Sequence, residues 1–304
     1  KNGGKIIVGG GGHAALLGGY VSNTGTVTAK LGKITMGSGE RITLDFVGDG
    51  LMSITVPTSQ LGVIKDINGR SLKSLVTNSG VLKANGGMVQ LSASTAQRLS
   101  RGTVNIGSSG VVIARTYKNK PGRVVIGSPT SRQIQVAGQI NVSGTTPSGP
   151  SGSVYIRGRN INHTGKIYAN GSTGGNVKIA SKDKLTIDGS ILAKGKTKNG
   201  GSVVVLSENA MKSTIKSLID VSGENKGGRI QTLAKTTNSS SGTLKADSAS
   251  GKGGEIDVTG KTLKLASISI DASGKKQGGK VRIGGDYQGG IKLTNTDNKN
   301  YKGF

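Results

Sequence analysis

The chain contains no cysteine and no tryptophan, and only two phenylalanines, six tyrosines and five prolines in 304 residues. Without cysteine there is neither a disulfide framework nor thiol chemistry. Export is still open to such a chain, because a long strand stack can be stable without staples. Aromatic residues at 3% supply too little volume for a broad globular core. No run approaches the ~20 apolar residues that a bilayer-spanning helix needs. Acids are scarce as well: 15 Asp and Glu face 41 Lys and Arg, giving a formal charge of +26. Such a balance favours an anionic partner, whether nucleic acid, membrane head groups or acidic polysaccharide. The basic residues are dispersed, however, and dispersed charges on outer strand positions also keep a protein soluble and its edges unpaired.

What the chain has in quantity is glycine, 53 residues, and short alternating runs of Val, Ile and Leu fenced by Gly, Ser, Asn or Lys. That is a signature of many short strands. From about residue 150 one phrase recurs. It reads Gly174-Gly175-Asn176-Val177-Lys178-Ile179, then Gly200-Gly201-Ser202-Val203-Val204-Val205, then Gly227-Gly228-Arg229-Ile230. Gly253-Gly254-Glu255-Ile256-Asp257-Val258 and Gly278-Gly279-Lys280-Val281-Arg282-Ile283 continue it, with second glycines stepping by 26, 27, 26 and 25 residues. Between copies lies an apolar–polar–small triplet ending in a turn, as in Ile167-Tyr168-Ala169-Asn170-Gly171 and Ile219-Asp220-Val221-Ser222-Gly223. One such unit cannot bury the apolar faces of three short strands. Stacking the next unit about 4.8 Å along buries them in aliphatic columns, with small residues such as Ala169, Ala193 and Ala272 in a narrow interior. An antiparallel sandwich has no reason to repeat one phrase at fixed period. The expectation is an all-β parallel β-helix of about eleven coils of ~25 residues, roughly 50 Å long. Three regions follow: irregular coils with loop insertions over 1–126, regular repeats over 127–290 and a polar tail over 291–304.

The first half follows the same grammar. Val21-Ser22-Asn23-Thr24-Gly25-Thr26-Val27-Thr28-Ala29 leads to Gly32-Lys33-Ile34-Thr35-Met36. Val76-Thr77-Asn78-Ser79-Gly80-Val81-Leu82-Lys83-Ala84 leads to Gly87-Met88-Val89-Gln90-Leu91. On these phrases the sequence resembles the filamentous haemagglutinin family, the large exoproteins of Gram-negative two-partner secretion, most closely over residues 10–56 and 75–115. Gly278-Gly279-Lys280-Val281-Arg282-Ile283-Gly284-Gly285-Asp286 is a phrase frequent in that family. The resemblance implies a right-handed parallel β-helix, export through an outer-membrane transporter partner, a secreted or cell-surface location, and adhesion to a host or neighbouring-cell receptor or acidic glycan. The family's secretion signal, with its Asn-Pro-Asn motif, is expected before residue 1. The opening Lys1-Asn2-Gly3-Gly4 fits an internal piece of a longer chain.

Two segments read as short helical turns, Ser94-Thr95-Ala96-Gln97-Arg98-Leu99 and Ser207-Glu208-Asn209-Ala210-Met211-Lys212, each opening on a capping serine. Residues 57–74 read as a loop outside the repeat. Catalytic patterns are missing. His13 and His163 lie far apart without acid or Cys clusters, and read as turn or strand-surface residues rather than metal ligands. Asp220 and Asp271 occupy equivalent outward positions two coils apart, about 9.6 Å, with Lys245 between them; that separation suits neither glycosidase geometry. Gly274–Val281 has Val281 where a phosphate loop needs Ser or Thr, and precedes a strand. The expectation is a non-enzyme without cofactor or metal, a monomeric rod with no nucleic-acid role. Alternatives are the passive stalk of a contact-dependent toxin or haem-acquisition exoprotein, and a polysaccharide-degrading β-helix. Candidate anion or glycan contacts are Arg157, Arg159, Lys178, Lys280 and Arg282. Candidate glycosylation sites, from Asn-x-Ser/Thr spacing, are Asn141, Asn162, Asn170 and Asn238.

Overall fold

A computed structural model of the chain describes residues 1–39, 74–93, 104–146 and 148–284, and the backbone of 41–44 and 52–55. Twenty-three strands join in one sheet, paired parallel throughout; Arg41–Leu44 and Met52–Thr55 form a separate antiparallel pair. The chain is a parallel β-solenoid. Each coil lays down strands on three faces, and each strand pairs with its equivalent one coil before and one coil after.

The register on the first face runs through the whole described chain. His13, Lys33, Met88, Arg123, Ser153, Asn176, Ser202, Arg229, Glu255 and Lys280 stand in one line, each paired with the next. The Gly-Gly period of the second half is therefore the coil length, and the same ladder continues into the irregular first half. Ten strands share this column, not the eleven that uniform spacing predicts. The reason lies in the long coils: Lys33 to Met88 takes 55 residues and Met88 to Arg123 takes 35. Nine steps make a rod about 43 Å long. Arg123–Gly127 crosses from the irregular to the regular half and pairs on both sides, so one stack includes both.

Alternation decides what points inward. On the third face Ile6, Val27, Leu82, Val112, Ile140, Ile167, Ile191, Ile219, Leu244 and Ile270 form one aliphatic column. All between the two ends are buried, and each such burial contributes about 1.5–3 kcal/mol. Ala169, Ala193 and Ala246 line the narrow corner that follows, all fully buried.

The paired glycines are explained by close approach of neighbouring coils. A Cβ on Gly253 would lie 1.9 Å from the Ala272 carbonyl oxygen of the following coil, and one on Gly254 2.0 Å from that of Gly228 in the preceding coil. The same pair of collisions recurs at Gly200 and Gly201, and at Gly227 and Gly228. Successive corners stack backbone on backbone, and any side chain would wedge them apart.

Two further expectations fail. Ser207–Lys212 is not helical: Ser202–Ser207 ends in a tight turn and Ala210–Ser213 begins the next face. The Ser207 hydroxyl does accept from the Asn209 N–H, at 3.3 Å, as a helix cap would. A capping serine is equally a turn residue. Parallel pairing of Ala210–Ser213 with Lys184–Ile187 then supplies the backbone bonds that a helix would have made. His163 is the second correction. It shares inward parity with Ile161 and sits in the core between Val136 and Ile187, fully buried. The helical reading of Ser94–Leu99 and, all but Ser74, the loop over 57–74 lie outside the described residues. Met52–Thr55 approaches Lys33–Ser38 and Met88–Ala93, and there the outward Thr35, Gln90 and Ser92 are buried too.

Candidate functional site

The outer surface is where chemistry could occur, since aliphatic columns fill most of the interior. The five basic candidates sit on or beside the first face but do not converge. Lys178 and Arg282 occupy the same outward row, separated by Val204, Gln231 and Asp257. Lys280 belongs to the neighbouring row, after Arg229 and Glu255. Arg157 pairs in register with Ala180, and Arg159 lies at the corner beyond it. Two of the five are engaged by acids: Arg159 Nε lies 2.9 Å from Asp183, and Arg282 Nε 3.1 Å from Asp257. Arg229 reaches the other Asp257 oxygen at 3.6 Å. This face is a mixed ladder of charges, with Arg123 stacked 5.0 Å from the Tyr155 ring.

The third face carries two acids in register with a lysine. Asp220, Lys245 and Asp271 are in direct register, as the repeat predicts. Asp220, although it points away from the core, is only 3% exposed, because Lys194 Nζ covers it at 2.7 Å. Its carboxylate also accepts from the Ser222 N–H at 2.9 Å. The Ser222 hydroxyl lies between Asp220 and Asp247, and Lys245 reaches Asp247 at 3.5 Å. The backbone N–H of Ser273, then its hydroxyl, hold the Asp271 carboxyl below its ordinary range. These carboxylates stabilise turns and lysines. Lys245 between Asp220 and Asp271 keeps that pair from acting together on one glycosidic bond.

The two histidines are far apart along the rod. His13 points outward, with Nε2 2.8 Å from the Thr35 hydroxyl. Partial burial, then Lys33 beside it, lowers its pKa. His163 Nε2 meets the Ser190 carbonyl at 3.3 Å, and burial pushes its pKa down to about 4. Among the described residues no three His, Cys, Asp or Glu side chains gather as metal ligands, and no helix is long and apolar enough to cross a membrane.

The sequons divide. Asn238 is fully buried, its amide donating to the Thr259 carbonyl at 3.0 Å, so a glycan cannot be carried there on the folded chain. Asn162 donates to Gln135 at 2.9 Å. Asn141 and Asn170 lie at coil corners, where their side-chain oxygens accept from the Ser143 and Lys194 N–H groups at 3.0 and 2.8 Å.

The basic residues that sequence reasoning missed lie at the corner between the third and first faces. Lys196, Lys198, Lys226, Lys252, Lys275 and Lys276 project there from four successive coils. Lys226 and Lys252 stand just before the Gly-Gly phrase one repeat apart, while Lys196, Lys198, Lys275 and Lys276 fall at other points of the corner; the coil register brings all six to one edge. No family model matches the chain, and no curated protein has a matching sequence.

Proposed function

We propose that this chain is a scaffold segment of a secreted or surface-displayed adhesin-type exoprotein of a Gram-negative bacterium, exported through an outer-membrane transporter partner. In this reading the rod holds its polar corners toward cell surfaces or acidic glycans. The observation that carries it is the uninterrupted parallel register of the first face: a fold that extends along one axis and spends its residues on length and outer surface. The resemblance of the Asn-x-Gly and Gly-Gly phrases to filamentous haemagglutinins supports the same reading, as does the charge of +26.

The test is adhesion. Beads coated with the purified chain should be retained on epithelial or bacterial cell layers, and soluble chain should compete them off. Retention no greater than that of albumin-coated beads would refute the adhesive role and leave the passive stalk. The stalk reading draws on the ion pairs of the first face, which neutralise part of its charge. A polysaccharide-degrading activity would have to appear as turnover of acidic polysaccharide that is lost in Asp220→Ala.

A further inference from the structure

We propose that the lysine corner between the third and first faces is a binding edge for a linear acidic polysaccharide lying along the solenoid axis. The inference rests on the glycan part of the function proposed above and gives it a place.

Three observations carry it. First, the corner is held rigidly. Asn199, Lys226, Lys252 and Gln277 are bridged in parallel from coil to coil. The Lys196 N–H donates to the Gly171 carbonyl at 2.8 Å, and the Lys276 N–H to that of Gly251 at 2.9 Å. The lysines thus leave a fixed backbone at the coil spacing, with only side-chain order left to be lost on binding. Second, the charge there is not neutralised in place. Lys196, Lys198, Lys226, Lys275 and Lys276 are exposed and Lys252 half-buried. Of the neighbouring acids, Asp220 and Asp247 are engaged by Lys194 and Lys245, which leaves Glu224, with Asp271 and Glu255 at the flanks of the corner, against six lysines. Third, the rest of the corner is polar and neutral. Two coils before Lys196 it presents the exposed Thr146 and Ser148, groups suited to sugar hydroxyls.

The same features separate a polysaccharide from other polyanions. The four lysine coils carry no aromatic ring at this corner on which bases of a single strand could stack, and the ring further along it, Tyr117, three coils before Lys196, is covered by Lys30 at 4.1 Å. It also lacks an exposed apolar side chain, the exposed large ones being Ile7, Leu17, Ile215, Leu265, Val281 and Ile283, so nothing there would insert below lipid head groups. A row of lysines at one coil's rise apart suits a ligand with negative charges regularly spaced along a straight chain.

The experiment compares the wild-type chain with two variants. One converts the six corner lysines to Gln; the other converts Arg157, Arg159, Lys178, Lys280 and Arg282 to Gln. Both are first matched to wild type in thermal unfolding. Binding to immobilised dextran sulfate and polygalacturonate is measured from 50 to 300 mM salt, with neutral dextran, duplex DNA and anionic vesicles as comparisons. The corner variant should weaken by roughly tenfold or more at low salt and lose most of its salt dependence, while the first-face variant changes less than about threefold. Equal weakening of both would mean that net charge alone binds, and would overturn the assignment. Loss confined to the first-face variant would overturn the corner while keeping the glycan reading. Wild-type chain that prefers DNA or vesicles, or binds no polysaccharide, would refute the glycan reading itself.

Discussion

Acidification should loosen the middle of the rod through His163. Its imidazole is fully buried, and burial lowers its pKa from 6.5 to about 4 although the Ser190 and Val136 backbone favours the charged form. Because the folded pKa lies below the unfolded one, the folded coil binds fewer protons between the two values. Stability is therefore fully present above pH 6.5 and is lost as pH falls toward 4. At ~1.36 kcal/mol per pH unit the whole loss is about 3 kcal/mol, of which about 2 kcal/mol is gone by pH 5. A solenoid opens coil by coil, so the readout should be local: amide exchange, corrected for its intrinsic pH dependence. Protection at Asn162, His163 and Thr164 should fall about thirtyfold between pH 7 and 5, relative to Val258. The variant His163→Ile, which matches Ile187 in the column, should remove that fall. Any contribution from His13 is common to both proteins. Parallel pH profiles in wild type and variant would refute the reasoning.

Other outcomes follow from the packing. Gly254→Ala places a Cβ 2.0 Å from the Gly228 carbonyl oxygen and should cost ~2 kcal/mol or more, whereas Gly278→Ala, which meets nothing within 4 Å, should stay within about 0.5 kcal/mol of wild type in chemical denaturation. Asn78→Ala removes the acceptor of the buried Asn23 amide, 2.8 Å away, and should cost about 1–3 kcal/mol by local exchange, while the outward Asn105→Ala should cost much less. Lys194→Met uncovers a carboxylate with 5% of its side chain exposed, whereas Asp220→Asn leaves a lysine free to turn to water; thermal melts should show the first as the more harmful.

The solenoid was legible because its cause is local and periodic. The Gly-Gly phrase marks a backbone contact that every regular coil must make, so Gly175, Gly201, Gly228, Gly254 and Gly279 recur at one coil's length. The Asp220–Lys245–Asp271 register was legible for the same reason. Ser207–Lys212 is ambiguous in sequence, because a serine before helix formers is the same local signal whether the chain spirals or turns, and pairing with Lys184–Ile187 decides between them. His163 has the chemistry of a surface residue, but its alternation with Ile161 places it inward, and there parity prevails over polarity.

By itself, then, the amino-acid order determined an all-β stack of aliphatic columns with its coil length, since alternation and close glycine contacts act between neighbours in sequence or one coil apart. Which outer charges meet is a different matter. Lys226 and Lys252 lie 26 residues apart in the chain and one strand spacing apart in space, while Lys178 and Arg282, alike in sequence context, end up in one row with Asp257 between them. The repeat aligns those pairs, but the winding of the chain decides which acids reach them and where Lys196, Lys198, Lys275 and Lys276 emerge, because the corners differ in sequence and length.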